Sequence, residues 1–406
     1  MTRIPCALLF CAGLAGASER AVALEASEVL LFSWGRLTIK PQLAVSETYN
    51  DNIFARASDE TADFTTTVSP GVTFLLGQRT ANHIILNYTL NQHFYADRTD
   101  LNATEHLFEL RSFIDRGRWN LQGNDRIQFL DSPIGDVQVL EGSIDQPLIL
   151  TEDKVSRNTY INDYRLSYEI SPKTVLYVQG QHIGYDYEER IRLYDQTTLI
   201  GTGGFAYQAL SKTVLFGEGF YGITTSEPNV TALETPDMIF AGGALGARGD
   251  FTPKLSGTVR IGYETREFEG QDASNDPVVA VGLNYRFSTR TDVALGFQRR
   301  QDVSIQFDEQ TYTAQIVNAQ LTQTIGSRGK LRATLGGYYG FYNYDQSQFS
   351  PARDYDVYSI NFGVAYQIQL WLSASLNFDR TGVIGSARDV TEYDVNRLTF
   401  RLAIGY

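Results

Sequence analysis

The sequence predicts an all-β fold, a transmembrane up-and-down antiparallel β-barrel of about 18 strands. Three observations predict it: short turns that recur about forty residues apart, strands with one apolar and one polar face, and a last strand that alternates up to an aromatic residue. This spacing fits two strands and two connections, which indicates hairpins. The turns are centred near Arg79, Gly117, Pro172, Lys212, Pro253, Arg290, Arg328 and Gln369.

The strands alternate with a period of two. After the first turn, Ile84, Leu86 and Tyr88 share one parity, whereas Asn87 and Thr89 share the other. A soluble β-sandwich alternates in the same way, with its apolar face as the core. Strands of roughly ten to fourteen residues, with short turns at one end and longer loops at the other, favour a membrane barrel, whose apolar face meets lipid.

The number of strands follows from the turns. Eight turns join sixteen strands, and the first strand from Leu37 and the last to Tyr406 bring the count to about 18. Sixteen strands stays open as an alternative, because glycine-rich stretches near Gln196, Thr213 and Asp237 blur the parity. An even number predicts that both termini lie in the periplasm. Two prolines inside the first two strands, Pro41 and Pro70, predict a bulge near the seam.

The N-terminus predicts a signal peptide over residues 1–23, followed by a single barrel domain over 24–406. Arg3 precedes an apolar stretch, and small residues allow cleavage after Ala17 or Ala23. Both cysteines, Cys6 and Cys11, lie in this leader, so the mature chain is expected to contain no thiol.

The last strand predicts the membrane. It resembles the signal by which outer-membrane barrels are recognised for insertion, so a Gram-negative outer membrane is expected, with the barrel assembly machinery, lipid and lipopolysaccharide as partners. The alternating residues of this assembly signal are Leu398, Phe400, Leu402, Ile404 and Tyr406.

Charge is unevenly distributed along the chain. The net charge is −13, and acidic residues cluster at the strand ends away from the short turns. An acidic chain lacks the clustered basic face that nucleic acid requires, so a nucleic-acid partner is excluded. Four of the lysines lie in or beside the short turns: Lys173, Lys212, Lys254 and Lys330.

The third outer connection, from Asp131 to Ser156, is the longest. Such loops are usually functional or disordered. This one either folds into the lumen as a constriction, as third loops of general porins do, or caps the outer mouth. If it folds inward, its acids would raise the local concentration of cations. The candidate constriction residues are Asp131, Asp136, Glu141, Asp145, Glu152 and Asp153.

The polar parity carries charges of both signs and several tyrosines. Barrel interiors commonly pair arginine with acids for rigidity, and this is the first interpretation. The second is a path for a polar polymer, since tyrosine faces and planar hydrogen-bonding side chains suit sugars. The candidate lumen-lining residues are Arg126, Arg165, Arg260, Glu264, Arg286, Arg332, Tyr338 and Tyr342.

No motif predicts an enzyme, a cofactor or a metal site. The histidines are scattered; His93 and His106 flank the second outer loop and could approach one another, but no nucleophile elbow or metal-ligand spacing accompanies them. In the first outer loop, Asn50, Asp51 and Asn52 carry oxygens that could bind calcium, although their spacing does not match an EF-hand.

The same loop supports a family resemblance. The stretch Tyr49-Asn50-Asp51-Asn52-Ile53-Phe54, directly after the first strand, resembles the outer-membrane β-barrel porin family associated with exopolysaccharide export gene clusters. The resemblance implies a pore for a secreted polysaccharide that works with a periplasmic export protein, and it supplies no catalytic residues. The alternatives are a general or small-solute porin and a plugged structural or adhesive barrel.

Overall fold

A computed structural model describes residues 31–78, 82–133, 154–188, 194–228, 237–268, 273–304, 311–326, 328–346, 351–385 and 392–405. Within these ranges the chain is almost entirely β-sheet, and no helix is long and apolar enough to cross a membrane. The strands are β1 (Phe32–Trp34), β2 (Leu37–Asn50), β3 (Asp63–Gly77), β4 (His83–Tyr95), β5 (Ala103–Arg116), β6 (Trp119–Pro133), β7 (Lys154–Ser171), β8 (Thr174–Tyr187), β9 (Tyr194–Gln208), β10 (Thr213–Pro228), β11 (Met238–Asp250), β12 (Leu255–Phe268), β13 (Ser274–Ser288), β14 (Thr291–Val303), β15 (Thr311–Ile325), β16 (Leu331–Tyr344), β17 (Arg353–Gln369), β18 (Leu372–Gly385) and β19 (Tyr393–Ile404).

Strands β2 to β19 form a closed antiparallel barrel of 18 strands, in which each strand pairs with the next along the chain. The seam is the ladder between β19 and β2, which runs from Arg397 opposite Asn50 to Ile404 opposite Leu43. Beyond that point the short strand β1 pairs with β2. The predicted fold and strand number are therefore confirmed, including the glycine-rich strands β9, β10 and β11.

The predicted bulge near the prolines is wrong. The β2–β3 register is uninterrupted, with Pro70 opposite Leu43, and the β3–β4 ladder keeps its register although it skips two residues. Pro41 lies between the end of the β19 ladder and the start of the β1 ladder, where a missing N–H is best tolerated. The register shifts instead lie beside two-residue turns, at Glu169/Ser171, Arg286/Ser288 and Gln367/Gln369.

One end of the barrel, here called the short-turn rim, repeats a single hydrogen bond. At eight of the nine even-numbered strands, the carbonyl of the residue just before the strand accepts a hydrogen bond from an N–H at the end of the next strand along the chain. Before β4 the side-chain oxygen of Asn82 accepts from Asp115 N instead. Lys173 O accepts from Gln208 N over 2.8 Å, for example. These bonds connect neighbouring hairpins. The accepting residues, all basic except the last, are Arg36, Arg118, Lys173, Lys212, Lys254, Arg290, Lys330 and Trp371.

The two faces of the wall differ as a membrane barrel requires. On β12, Ile261 and Tyr263 are exposed to 60% and 55%, whereas Glu264 and Arg266 on the opposite parity are exposed to only 5% and 7%. Because side chains alternate along a strand, the exposed apolar set forms the outer wall and the polar set forms the inner wall. The same split places Leu398 and Phe400 on the outer wall of β19. Tyr406 lies outside the described residues.

Candidate functional site

The inner wall between β7 and β12 carries a chain of polar contacts across several strands. The guanidinium of Arg165 lies 3.6 Å from the ring centre of Tyr177. The Tyr177 hydroxyl donates to Glu218 Oε2 over 2.7 Å, and Arg260 Nε donates to Glu218 Oε1 over 2.7 Å. The Glu218 carboxylate therefore compensates the two inward-facing cations, Arg165 and Arg260. This series of contacts places one aromatic face and two guanidinium groups on the lumen side.

Glycine on β9 makes room for this arrangement. Gly204 stands opposite Tyr177 in the ladder, and a Cβ added to it would lie 2.5 Å from the Tyr177 hydroxyl and 2.9 Å from the carbonyl of Gly217. The tyrosine ring therefore lies flat over the glycine backbone. Inward aromatic rings pack in the same way over three other glycines of these strands: Phe240 over Gly222, Phe220 over Gly242 and Phe216 over Gly246.

Arginine and phenylalanine also pair along the inner wall of β10, β11 and β12. Each guanidinium lies within reach of an aromatic face. Arg260 and Arg266 also donate hydrogen bonds to Glu218 and Glu264, so ring and carboxylate together hold these two cations. These pairs add flat apolar surface to a wall that is otherwise polar. They are Arg260 with Phe220 at 5.2 Å, Arg266 with Phe240 at 5.2 Å and Arg248 with Phe216 at 5.7 Å.

A tyrosine cluster lies on the inner wall of β15, β16 and β17, towards the loops. Tyr312 stacks on Tyr344 with ring centres 4.8 Å apart, and Tyr342 stacks on Tyr355 at 5.5 Å. The hydroxyls of Tyr355 and Tyr344 hydrogen-bond over 2.6 Å. The cluster is almost completely buried, with Tyr355 exposed to 2%. It therefore braces β15, β16 and β17 from inside rather than lining open space.

The first outer loop, residues 51–62, folds inward and is tied to the last strand. Asn52 donates to the carbonyls of Arg56 and Asp394, and its Oδ1 accepts from Arg56 N. Asp51 accepts two hydrogen bonds from Asn396, at 2.8 Å and 2.7 Å. These groups are engaged in fastening the loop, so the suggested calcium site at Asn50 to Asn52 is not supported.

Apolar residues of this loop are buried inside the barrel. Ile53, Phe54 and Ala55 are exposed to 0%, 5% and 3%. Ala55 belongs to the same cluster as Tyr185 at the end of β8, six strands from β2, so the loop reaches across the lumen. Within the described part of the chain, the first loop narrows the outer end.

Two cations flank the loop's aromatic residue. Arg56 and Arg98 lie 4.8 Å and 4.9 Å from the ring centre of Phe54. Hydrogen bonds of 3.0 Å and 2.8 Å to Asp100 raise the pKa of the Arg98 guanidinium, which therefore stays charged. The ring is fixed between the first and second outer loops.

A polar recess lies lower on the inner wall, between β5 and β8. Its volume is about 450 Å³. Asp163 accepts hydrogen bonds from Gln179 and Gln181, each over 2.6 Å, so amides solvate its charge. Arg165 stands beside Asp163 in the lining and Arg111 is paired with Glu109, so the recess holds charges of both signs. Its lining includes Arg111, Gln122, Asn124, Asp163, Arg165 and Gln179.

The predicted lumen residues all lie at inward positions, but only some of them meet. Arg165 and Arg260 are joined through Glu218, and Glu264 bonds Arg266. Tyr338 packs against the cluster that contains Tyr342. Arg126 stands opposite Glu109, whereas Arg286 and Arg332 lie near the short-turn rim. Their part in conduction stays a prediction.

Two loop predictions differ from the structure. Asp131 does not belong to the long loop, because β6 and β7 both extend further than the sequence pattern indicates. It lies in β6 opposite Ser156, on the outer-wall parity, and its carboxylate accepts a hydrogen bond from the Ser156 hydroxyl. The two histidines cannot cooperate, since His93 contacts Glu105 on the inner wall and His106 bonds Tyr88 on the outer wall. The remaining candidate constriction residues lie outside the described residues: Asp136, Glu141, Asp145, Glu152 and Asp153.

Sequence reasoning missed Glu218, Tyr177 and the role of the first loop. Glu218 and Tyr177 contribute to the polar chain from positions beside or opposite glycine, where parity is hard to assign. The sequence does contain a signal for the loop: three consecutive Asn or Asp residues, whose side chains commonly bond nearby backbone groups, followed by two apolar residues, Ile53 and Phe54.

Solved structures similar to this chain are outer-membrane proteins of low sequence identity. OpdK (OccK1) from Pseudomonas aeruginosa is 9% identical, with a TM-score of 0.48 over 91% of this chain and 99% of that one. OccAB4 from Acinetobacter baumannii is 11% identical, with a TM-score of 0.44 over 91% and 98%. The fold is established by the strand pairing of the chain itself, which closes an antiparallel β-barrel of 18 strands with an apolar outer wall. No family model and no curated protein matches the sequence, and these similarities establish neither a substrate nor a link to polysaccharide export.

Proposed function

We propose that this chain is an outer-membrane channel through which small polar solutes diffuse. The observation that carries the proposal is the contrast between an apolar outer wall and an inner wall of fixed, mutually compensated charges, from Arg165 through Glu218 to Arg260. Such a wall holds its polar groups in place and offers hydrogen bonds to a passing solute. Cationic, anionic and neutral solutes would all pass, and the inward first loop would limit the size of the solute.

The proposal includes an orientation. The short-turn rim would face the periplasm and the long loops the outside, as in bacterial single-chain barrels. Both ends of the barrel domain, at β1 and β19, lie at the short-turn rim.

Planar-bilayer recording of the purified, refolded protein tests the channel. Stepwise conductance in potassium chloride is the expected result, because the lumen between the polar walls would hold water and ions. A barrel that inserts, as judged by protease protection, but conducts no current would contradict the proposal and favour a plugged structural or adhesive barrel.

Export of a secreted polysaccharide is the second candidate. It is favoured by the inward aromatic faces at Tyr177, Phe216, Phe220 and Phe240, since sugar rings stack on such faces. Under this candidate a deletion strain would lose secreted polysaccharide while small-solute uptake stayed intact, and a periplasmic export protein would be the partner. Normal polysaccharide secretion by the deletion strain would rule out the export function.

A further inference from the structure

Four strands place one residue each in a single row on the inner wall, near the first loop. Gln128 on β6 stands opposite Thr159 on β7, which stands opposite Tyr185 on β8, which stands opposite Gln196 on β9. All four are buried: their exposed fractions are 3%, 0%, 4% and 6%. We call the three members with side-chain amide or aliphatic hydroxyl groups, Gln128, Thr159 and Gln196, the outer row.

Each residue of the outer row has a buried polar atom without a hydrogen-bond partner. These atoms are Gln128 Oε1, Thr159 Oγ1 and Gln196 Nε2. A buried polar atom that lacks a partner costs free energy, so three of them in one row, on β6, β7 and β9, call for an explanation. A ligand or solvent that enters the row would supply the missing partners.

The chemistry of these atoms selects the ligand. Gln128 Oε1 can only accept a hydrogen bond, Gln196 Nε2 can only donate one, and the Thr159 hydroxyl can do both. A carboxylate accepts and does not donate, so it would leave Gln128 unsatisfied. A hydroxyl group both donates and accepts, so a compound with several hydroxyls matches the whole row.

The wall below the outer row provides a route to it. Gln122 and Asn124 on β6 and Gln179 and Gln181 on β8 face the same side of the same strands, two or three rows nearer the short-turn rim. The row between them and the outer row holds Arg126, Ile161 and Ile183. Three of them line the 450 Å³ recess. Amides offer both hydrogen-bond roles without charge. Between them β7 contributes one charge of each sign, Asp163 and Arg165, so these two rows carry no net charge and suit an uncharged solute.

Aromatic and cationic groups border the row. Tyr185 lies within it, and Tyr187 and Ala55 belong to the same buried cluster, so the first loop closes the row from above. Arg157, exposed to 7%, occupies the next row and stands opposite Tyr187. An aromatic face beside hydroxyl-binding groups is the usual arrangement for holding a sugar ring.

We propose that the outer row is a binding subsite for a neutral saccharide, which reaches it along the amide track of β6 and β8. This inference rests on the proposed channel function and names the solute class that the channel would favour. The subsite would slow and orient a hydroxyl-rich solute beneath the first loop, whereas ions would pass along the side lined by Arg248, Arg260 and Arg266 on β11 and β12.

Liposome swelling with the refolded full barrel tests the subsite, with glucose, glucuronate and glycine betaine as solutes. The double variant Gln128→Leu/Gln196→Leu should lower the ratio of glucose to betaine entry about tenfold. Its potassium chloride conductance should stay within about twofold of the unmodified channel, because the ions take another path. Thr159→Val keeps the shape of the side chain and should also lower the glucose-to-betaine ratio. It tests the subsite if the double variant does not fold.

The control is Gln208→Leu, the same substitution at an inward glutamine near the short-turn rim, and it should leave the ratio unchanged. A conducting channel whose ratio is unaltered in the row variants overturns the inference alone and assigns the row to water. Faster entry of glucuronate than of glucose also overturns it, in favour of an anion at Arg157. An unmodified barrel that conducts nothing overturns the proposed function together with this inference.

Discussion

The side-chain amide of Asn52 donates a hydrogen bond over 3.1 Å to the main-chain oxygen of Asp394, a residue 342 positions away in the chain. This bond joins the first outer loop to the start of the last strand, above the end of the seam ladder at Arg397 and Asn50. With the Asp51–Asn396 pair it holds the seam closed and keeps the loop inside the barrel.

Replacing Asn52 with alanine should destabilise the barrel by about 2–4 kcal/mol, because three buried hydrogen bonds are lost and backbone groups are left unpaired. Urea unfolding in lipid vesicles, followed by tryptophan fluorescence, measures the change. Asn343→Ala, at an exposed position on the outer wall of β16, is the control and should change little. Equal stability of both variants would show that the loop is not fastened as described.

Replacing Glu218 with glutamine should shift the channel towards anions. The substitution keeps a hydrogen-bond acceptor but removes the charge that compensates Arg165 and Arg260, so the anion-to-cation permeability ratio should rise about twofold. The reversal potential in a potassium chloride gradient gives this ratio. The control, Glu267→Gln, makes the same charge change on the outer wall and should leave the reversal potential unchanged. A similar shift of the reversal potential in both variants would argue against a lumenal role for Glu218.

Two adjacent glycines provide a matched test of inner-wall packing. Gly204→Ala would place a Cβ within 2.5 Å of the Tyr177 hydroxyl and 2.9 Å of a carbonyl, so it should displace the ring and cost about 1–3 kcal/mol. Gly203→Ala points to open space, with nothing within 4 Å, and should stay within about 0.5 kcal/mol of the unmodified protein. Urea unfolding of the two variants compares them, and the prediction fails if Gly203→Ala is the more damaging change.

Single cysteines test the orientation. The only cysteines of the chain, Cys6 and Cys11, lie in the predicted leader, so an introduced thiol can be labelled alone. On intact cells a membrane-impermeant maleimide should label Ser58→Cys in the first loop and spare Ser211→Cys in a short turn. Both should react once the outer membrane is permeabilised. Labelling of Ser211→Cys on intact cells would reverse the proposed orientation.

The fold could be predicted from the sequence because alternation and turn spacing are local properties. Parity also placed Arg165, Arg260 and Glu264 on the inner wall. Their partners could not be predicted, since the contact between Arg260 and Glu218 depends on the register of three strands, two of them glycine-rich. The first loop was singled out by its motif, but its inward fold depends on contacts with β8 and β19 that only the closed barrel creates.

The repeated carbonyl bond of the short-turn rim gives the barrel a modular construction. All but one of the two-strand units present the same backbone acceptor to the unit that follows, as Lys254 does to Arg286 and Lys330 to Gln367; the exception is Asn82, whose side chain accepts from Asp115. Because the bond involves only main-chain atoms, units could be duplicated or lost in evolution without new side-chain chemistry at this rim. The number of such units then sets the circumference of the barrel. At the seam, in contrast, closure depends on side chains, because Asp51 and Asn396 hydrogen-bond there.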